Sequence, residues 1–537
     1  MKGVIAAGDP ETAAAGKEML RRGGNAVDAA IAAAYTSFIA EIGVVHLGGS
    51  GIAQVFTPSL DNQSYNCTTY DFFSSMPGLE GGQKLDDLDF EKVTIDFGPT
   101  TQDFFLGRGS VAVPGNIVGL CRMAEDHGNL PLSTLLEPAI RLALNGHHLA
   151  QFQAETCHLL EPIYTHTSDM QEIFASRGRI IEPGEKLFIP HLAGTLDNLA
   201  KEGADFVRTG RLAQTLLSDQ AAHRGLLTAT DLKRYKVRKL PSICFNYRQF
   251  EILLPPPSSS GGVLTAFTLR LLSNFDVGQF QHGSADHLRL LFEIMAATTR
   301  ARPIWDRAME ELPANDAISY FLADSFVQHY VEEVNEGLAG KTHFPALSEP
   351  SLHPDTSHIS VIDGNGMAVS LTTTAGESAG YVVPGTGFIP NNILGEADLH
   401  PNGFHSRTAG QRIPTMMTPA IVLLDGNIRL VVGSGGSIRI RSAILQVLSN
   451  LLDYEMRLVD AVNIARVHLE DGVLQCELGY DAAAVNEIEE MGYPVNRWDR
   501  RSIYFGGAHS VSRTIAGRIV GAGDNRRGGS IAIVNED

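Results

Sequence analysis

The chain has 537 residues, 44% of them hydrophobic and 19% charged, a balance that excludes a disordered chain and fits a folded enzyme. Lys+Arg 42 against Asp+Glu 61 leaves a net charge of −19, which argues against a nucleic-acid partner, because phosphate neutralisation needs clustered cations. Five scattered cysteines (Cys67, Cys121, Cys157, Cys244, Cys476) form no C-x-x-C pair, which speaks against a zinc ribbon or a thioredoxin-like motif and fits a reducing compartment.

Residues 10–24 read as a helix stopped by Gly23-Gly24. Asn25 is placed to cap a second, alanine-rich helix with Asp28 at its third position. No run of about 18 apolar residues occurs; the longest candidate carries Asp28 and Glu41. The apolar start ends at Asp9-Pro10, too short for a signal-peptide core. The expectation is a soluble cytoplasmic protein with no membrane partner. Residues 52–57 read as a strand, 115–235 as mostly helical with a helix over 134–146, and 247–254 as a strand. PPPSSSGG (255–262) reads as a rigid loop followed by a flexible one, 285–302 as an amphipathic helix, and 337–355 as a linker. Then the texture changes. SHISVID, GNG and MAVSLTTT form a hairpin pattern, and AIVLLDGNIRLVVG (420–433) forms another turning at Asp425-Gly426-Asn427. Helices are expected at 437–452 and 458–467, with short strands at the end. Long blocks of helices and strands favour a layered sheet–helix fold over a doubly wound one.

The junction HPDTSHIS (353–360) runs the linker straight into the first hairpin, at Thr356. An ordinary threonine there only starts a strand. If the Asp355–Thr356 bond is cut, Thr356 gains an α-amine with a pKa of about 7.7–8.0. That amine can take the proton of its own Oγ1. On the return strand Thr372 and Thr374 share one face, so either can stand beside Thr356. GSGGS (433–437) lies between a strand and a helix, where successive backbone N–H groups suit an oxyanion. A P-loop is a poor rival: Gly340-Lys341-Thr342 has Asn335 where the first glycine belongs. GESAG (376–380) fits a serine nucleophile elbow with Ser378, but the Pro- and Gly-bearing YVVPGTGFIPNN after it cannot start the required helix. A serine esterase using Ser378, or an uncleaved binding protein without catalysis, are the competing readings.

These motifs, with AAAGKEMLRRGGNAVDAAIAAA, VPGNIVGL (113–120) and NNILGEADL (391–399), resemble the γ-glutamyltranspeptidases, members of the N-terminal nucleophile (Ntn) hydrolases, nearly end to end. The resemblance implies an α+β fold, a four-layer αββα sandwich with additional helices from the N-terminal segment. It also implies self-cleavage into a large segment 1–355 and a small segment 356–537, held together as one intertwined heterodimer. It assigns Thr356 as nucleophile, Thr374 as the threonine that hydrogen-bonds it, and Gly435 and Gly436 as the oxyanion glycines. The implied reaction is attack on a γ-glutamyl or related small acyl amide, with transfer to water or an amine. No metal and no organic cofactor is implied.

The substrate pocket departs from the family pattern. Gly98 stands where an arginine holds the γ-glutamyl carboxylate, and Gly376 where an asparagine follows the second threonine. Thr415-Met416 replaces a serine pair, and Glu396 replaces the aspartate for the α-amine, next to Asn392. A buried carboxylate needs a charged partner. Arg108 is the candidate substitute.

Overall fold

A computed structural model describes residues 2–59, 65–82, 85–96, 101–340, 356–400 and 402–535. The expected hairpin forms its centre. Strands Ser357–Asp363 and Ala368–Thr374 pair antiparallel, with Ser357 opposite Thr373 and His358 opposite Thr372. They are the middle of a seven-stranded sheet in the order Ser530–Val534, Gly3–Ala7, Ser357–Asp363, Ala368–Thr374, Ser50–Pro58, Tyr65–Phe72, Arg238–Pro241. The second hairpin, Ala420–Leu424 and Asn427–Val432, sits in a six-stranded sheet. Its order is Ile519–Ala522, Ser510–Arg513, Asn427–Val432, Ala420–Leu424, Phe250–Leu254, Ile243–Tyr247.

The alternation of side chains along these strands stacks the two sheets. Ile421 and Leu423 pack with Val4, Phe56 and Ile362 of the other sheet, whereas Ala420 and Val422 face helices. On the outer face of the first sheet lie Pro10–Arg21 and the wholly buried Ala26–Ala40. Alanine lets this second helix settle close to the strands beneath it. Both expected starts are present: Asp9 accepts from the Glu11 N–H, and Asn25 forms a capping box with Asp28. Ser260–Leu272, Arg439–Leu452 and Ala285–Glu311 cover the second sheet. The result is the four-layer helix–sheet–sheet–helix sandwich, with further helices such as Asn116–His127 and Leu132–Asn145 beyond the first sheet.

Three local expectations need correction. Residues 247–254 are not one strand but the turn and second arm of a hairpin, Ile243–Tyr247 and Phe250–Leu254, reversed at Arg248 with φ +55°. The second half of PPPSSSGG is not a loop: the Ser259 side chain accepts from the Gly262 N–H and starts the helix Ser260–Leu272. The helix expected over 458–467 ends at Asn463, and Val467–Glu470 is a strand.

Between the sheets the packing turns from apolar to polar toward Thr356. His358 shares hydrogen bonds with Thr372 Oγ1 (2.8 Å) and Ser360 Oγ (2.9 Å). Ser370 Oγ donates to Val432 O (3.0 Å), and Gln54 Nε2 donates to Leu253 O (3.0 Å), so side chains of one sheet bond the backbone of the other. Burial pushes the His358 imidazole well below its usual range, which keeps it neutral in this layer.

Candidate active site

Thr356 directly precedes the strand Ser357–Asp363 and is 5% exposed. Extending the register by one residue sets it opposite Thr374, and both line the same cleft. Of the two threonines on the return strand, Thr372 is engaged by His358 and Thr374 is the one at the cleft. Thr374 Oγ1 also accepts from the Gly376 N–H (3.1 Å), which fixes the start of the next turn.

The 433–437 turn closes over this pair. A Cβ on Gly435 would lie 2.1 Å from the Thr356 carbonyl oxygen, so only glycine allows the approach. Gly436 has φ +111°. The Ser434 hydroxyl accepts from the Gly507 N–H (3.1 Å) and fastens the turn to a neighbouring segment. Arg527, a residue with no signal in the sequence, donates from Nη1 to the Thr356 carbonyl (3.3 Å).

Glu396, Thr415 and Met416 line the cleft as expected. Asn392 does not; its Oδ1 accepts from the Glu377 N–H (2.7 Å) behind the wall. Gly376 has φ +65°, and a Cβ there would meet Glu396 Oε1 at 2.0 Å and Asn392 Oδ1 at 2.1 Å. Glu396 and Asn392 thus occupy the space an asparagine at 376 would need, which accounts for that departure. Gly98 falls outside the described residues, as do Asp355 and most of the linker. Arg108 does not serve the cleft. Its guanidinium is paired with Asp219 (Nε–Oδ2 3.1 Å, Nη2–Oδ1 3.0 Å) and lies 3.8 Å over the Tyr381 ring.

Ser378 is fully buried with φ +94°, and its Oγ accepts from the Gly380 N–H (3.1 Å). Loop and turn follow it, not a helix, so the elbow geometry is absent.

Two acidic features were not anticipated. Asp398 lines the cleft and accepts from Ser437 Oγ (2.8 Å); burial raises its pKa, opposed by that hydrogen bond. On the far face of the strand, Glu41 accepts from Thr12 Oγ1 (2.7 Å) and from the Ser357 hydroxyl. Burial pushes Glu41 up to about 7, and burial with the nearby Glu41 charge pushes Asp9 up to about 7. Chemically, the cleft offers a hydroxyl at a strand start, a second threonine beside it, and a glycine turn against its backbone.

A sequence model of the gamma-glutamyltranspeptidase family matches residues 12–534. An acylase ACY 1 proenzyme of Pseudomonas sp. (strain SE83) is 30% identical, covering 97% of this chain and 91% of that protein. The glutathione hydrolase proenzyme of Escherichia coli (strain K12) is 26% identical, covering 98% and 90%. Among solved structures, a cephalosporin acylase from Bacillus halodurans superposes with a TM-score of 0.83 at 22% identity, over 100% of this chain and 96% of that one.

Proposed function

The chain belongs to the gamma-glutamyltranspeptidase family of Ntn-hydrolases, an enzyme family of the amidohydrolase type, and from that premise we propose that Thr356 is its self-processing residue and nucleophile. In maturation, Thr356 Oγ1 attacks the Asp355 carbonyl, the peptide nitrogen leaves as the new α-amine, and water hydrolyses the resulting ester. Segments 1–355 and 356–537 then remain together as a heterodimer.

In turnover the freed amine takes the Oγ1 proton, and Oγ1 adds to a substrate amide carbonyl. Thr374 orients the attacking hydroxyl. The oxyanion meets the backbone N–H groups of Gly435 and Gly436, worth about 2.7–4 kcal/mol per donor in comparable sites. Collapse expels the protonated amine and leaves an acyl ester on Thr356. Water, or an acceptor amine, releases the acyl group and restores the hydroxyl. The substrate is a small acyl amide.

The observation that supports this reading most is the contact of the Gly435 backbone with the Thr356 carbonyl, in a cleft that Thr356 and Thr374 share. The test is turnover of a panel of acyl p-nitroanilides by wild-type, Thr356→Ala and Thr356→Ser proteins. The reading expects no turnover from Thr356→Ala and slow turnover from Thr356→Ser. Wild-type rates from Thr356→Ala would end it.

A further inference from the structure

Scission before Thr356 turns that residue into a chain end, and a chain end frays unless something ties it down. A nucleophile cannot be left to fray, because a misplacement of about 1 Å costs about a hundredfold in rate. Two ties flank the first peptide of the strand. The Thr356 carbonyl accepts from Arg527 Nη1 (3.3 Å). The next side chain, Ser357, points to the opposite face of the sheet, and its hydroxyl donates to Glu41.

Glu41 is itself held still. It caps the C-terminal end of the buried helix Ala26–Ala40, where its N–H donates to Ser37 O (2.8 Å). Its other carboxylate oxygen accepts from Thr12 Oγ1 (2.7 Å) on the helix Pro10–Arg21. Glu41, Thr12 and Ser357 are 1%, 0% and 4% exposed, so solvent cannot stand in for either bond. A Cβ on Gly8 would fall 2.3 Å from Glu41 Oε2, and a Cβ on Gly528 would fall 2.7 Å from the Gly8 carbonyl oxygen. Gly528 follows Arg527 directly, so the backbone at Gly8 braces both ties. The described lining of the cleft includes neither Glu41 nor Ser357.

We propose that Glu41 is a positioning residue acting through Ser357, which locks the freed amino end so that the Thr356 amine and hydroxyl stay in register with the glycine turn. The inference rests on Thr356 being the nucleophile. Before scission Thr356 is bonded covalently on both sides. Afterwards one covalent bond remains, and the Ser357–Glu41 and Arg527 ties hold the end. The role therefore belongs to turnover more than to maturation, which separates it from a contact that only stabilises the fold.

The test compares Ser357→Ala, Ser357→Thr, Glu41→Gln and the Ser357→Ala/Glu41→Gln double variant. Each is assayed as processed protein on the acyl p-nitroanilide the wild type takes best, with rates counted per small chain beginning at Thr356. Ser357→Ala should lower kcat about tenfold or more, the scale of a hydrogen bond to a charged group, and leave KM within about twofold. Ser357→Thr keeps the hydroxyl and should retain most of kcat. Glu41→Gln should lose less than Ser357→Ala, because its amide oxygen still accepts. The double variant should lose no more than Ser357→Ala alone, since both changes act on one bond. Amide hydrogen exchange in the peptide carrying Ser357–Asp363 should quicken in Ser357→Ala and not in Ser357→Thr.

Wild-type kcat per small chain in Ser357→Ala overturns the proposal, even if less small chain is made, because the bond is then a folding contact only. Losses that add in the double variant overturn it as well. A wild type that turns over no anilide, or a Thr356→Ala protein as active as wild type, is a failure of the nucleophile reading instead. In that case the exchange measurement decides: faster exchange in Ser357→Ala keeps Glu41 as the holder of the strand start, and unchanged exchange ends that role.

Discussion

A methyl group on Gly435 would stand 2.1 Å from the Thr356 carbonyl oxygen, a backbone atom that cannot swing aside as a side chain could. Gly435→Ala must therefore shift the turn away from Thr356. The expected outcome is a fall in kcat of about a hundredfold, the scale of a displaced oxyanion donor, measured on whichever anilide the wild type takes. Ser378→Ala is the matching control. Its hydroxyl only accepts the Gly380 N–H, away from the cleft, so activity should persist. Loss of activity there, with Gly435→Ala unaffected, would move the chemistry to the serine. The threonines and the glycine turn were legible as candidates because they sit at junctions of linker, strand and helix, but the strand pattern left Thr372 and Thr374 open, and the family resemblance selected Thr374. Asp398 with Ser437 was not legible. They are 39 residues apart, in loops without periodicity, and nothing local announces the contact.

At the scale of elements, what sets the Thr356 carbonyl is a buried ionic support under the 525–527 turn. Asp524 pairs with Arg466 (2.6 Å) and Arg526 (3.2 Å), and Arg526 also binds Glu477. Asp524 is fully buried, and Arg466 and Arg526 hold it far below the usual carboxylate range despite burial. Asp524→Asn leaves two buried guanidinium groups short of charge, so it should cost about 3–5 kcal/mol of stability by urea unfolding and slow maturation by displacing Arg527. Arg177→Ala breaks the surface contact with Glu185 and should leave the urea midpoint nearly unchanged, because a solvent-exposed pair is screened. Equal costs would contradict this account of the turn. The element pattern was readable where capping and two-residue turns speak locally, as at Asn25 and at Asp425-Gly426. It was misread at 247–254, where the chain reverses at Arg248 without the glycine or proline that would announce a turn. It was misread again past Asn463, where the strand Val467–Glu470 is fixed by a sheet partner, Val473–Cys476, rather than by its own periodicity.

Over the whole molecule, the sandwich places buried acids and histidines in opposition. Asp9 and Glu41, both near 7, bind protons in the folded chain that the unfolded chain releases from about pH 4 upward. Their contribution to stability is greatest at low pH and is lost as pH rises through about 7. Buried His46, pushed down to about 3, and His509, pushed down to about 4, act the other way: stability is lost as pH falls below the unfolded imidazole range. The difference between proteins isolates the acids. Glu41→Gln should gain stability relative to wild type between pH 5 and pH 8, read as urea midpoints, and a pH-independent difference would contradict the assignment. The layered architecture was visible in the order of blocks. Its interior polar layer was not, because His358, Ser360 and Ser370 look in sequence like ordinary strand residues. That layer ends at Thr356, the nucleophile proposed above. The most direct measurement is the mass and amino-terminal sequence of the purified, matured protein. Two chains, the smaller beginning at Thr356 and absent from the Thr356→Ala protein, are predicted; an active protein that stays one 57.9 kDa chain would contradict the account.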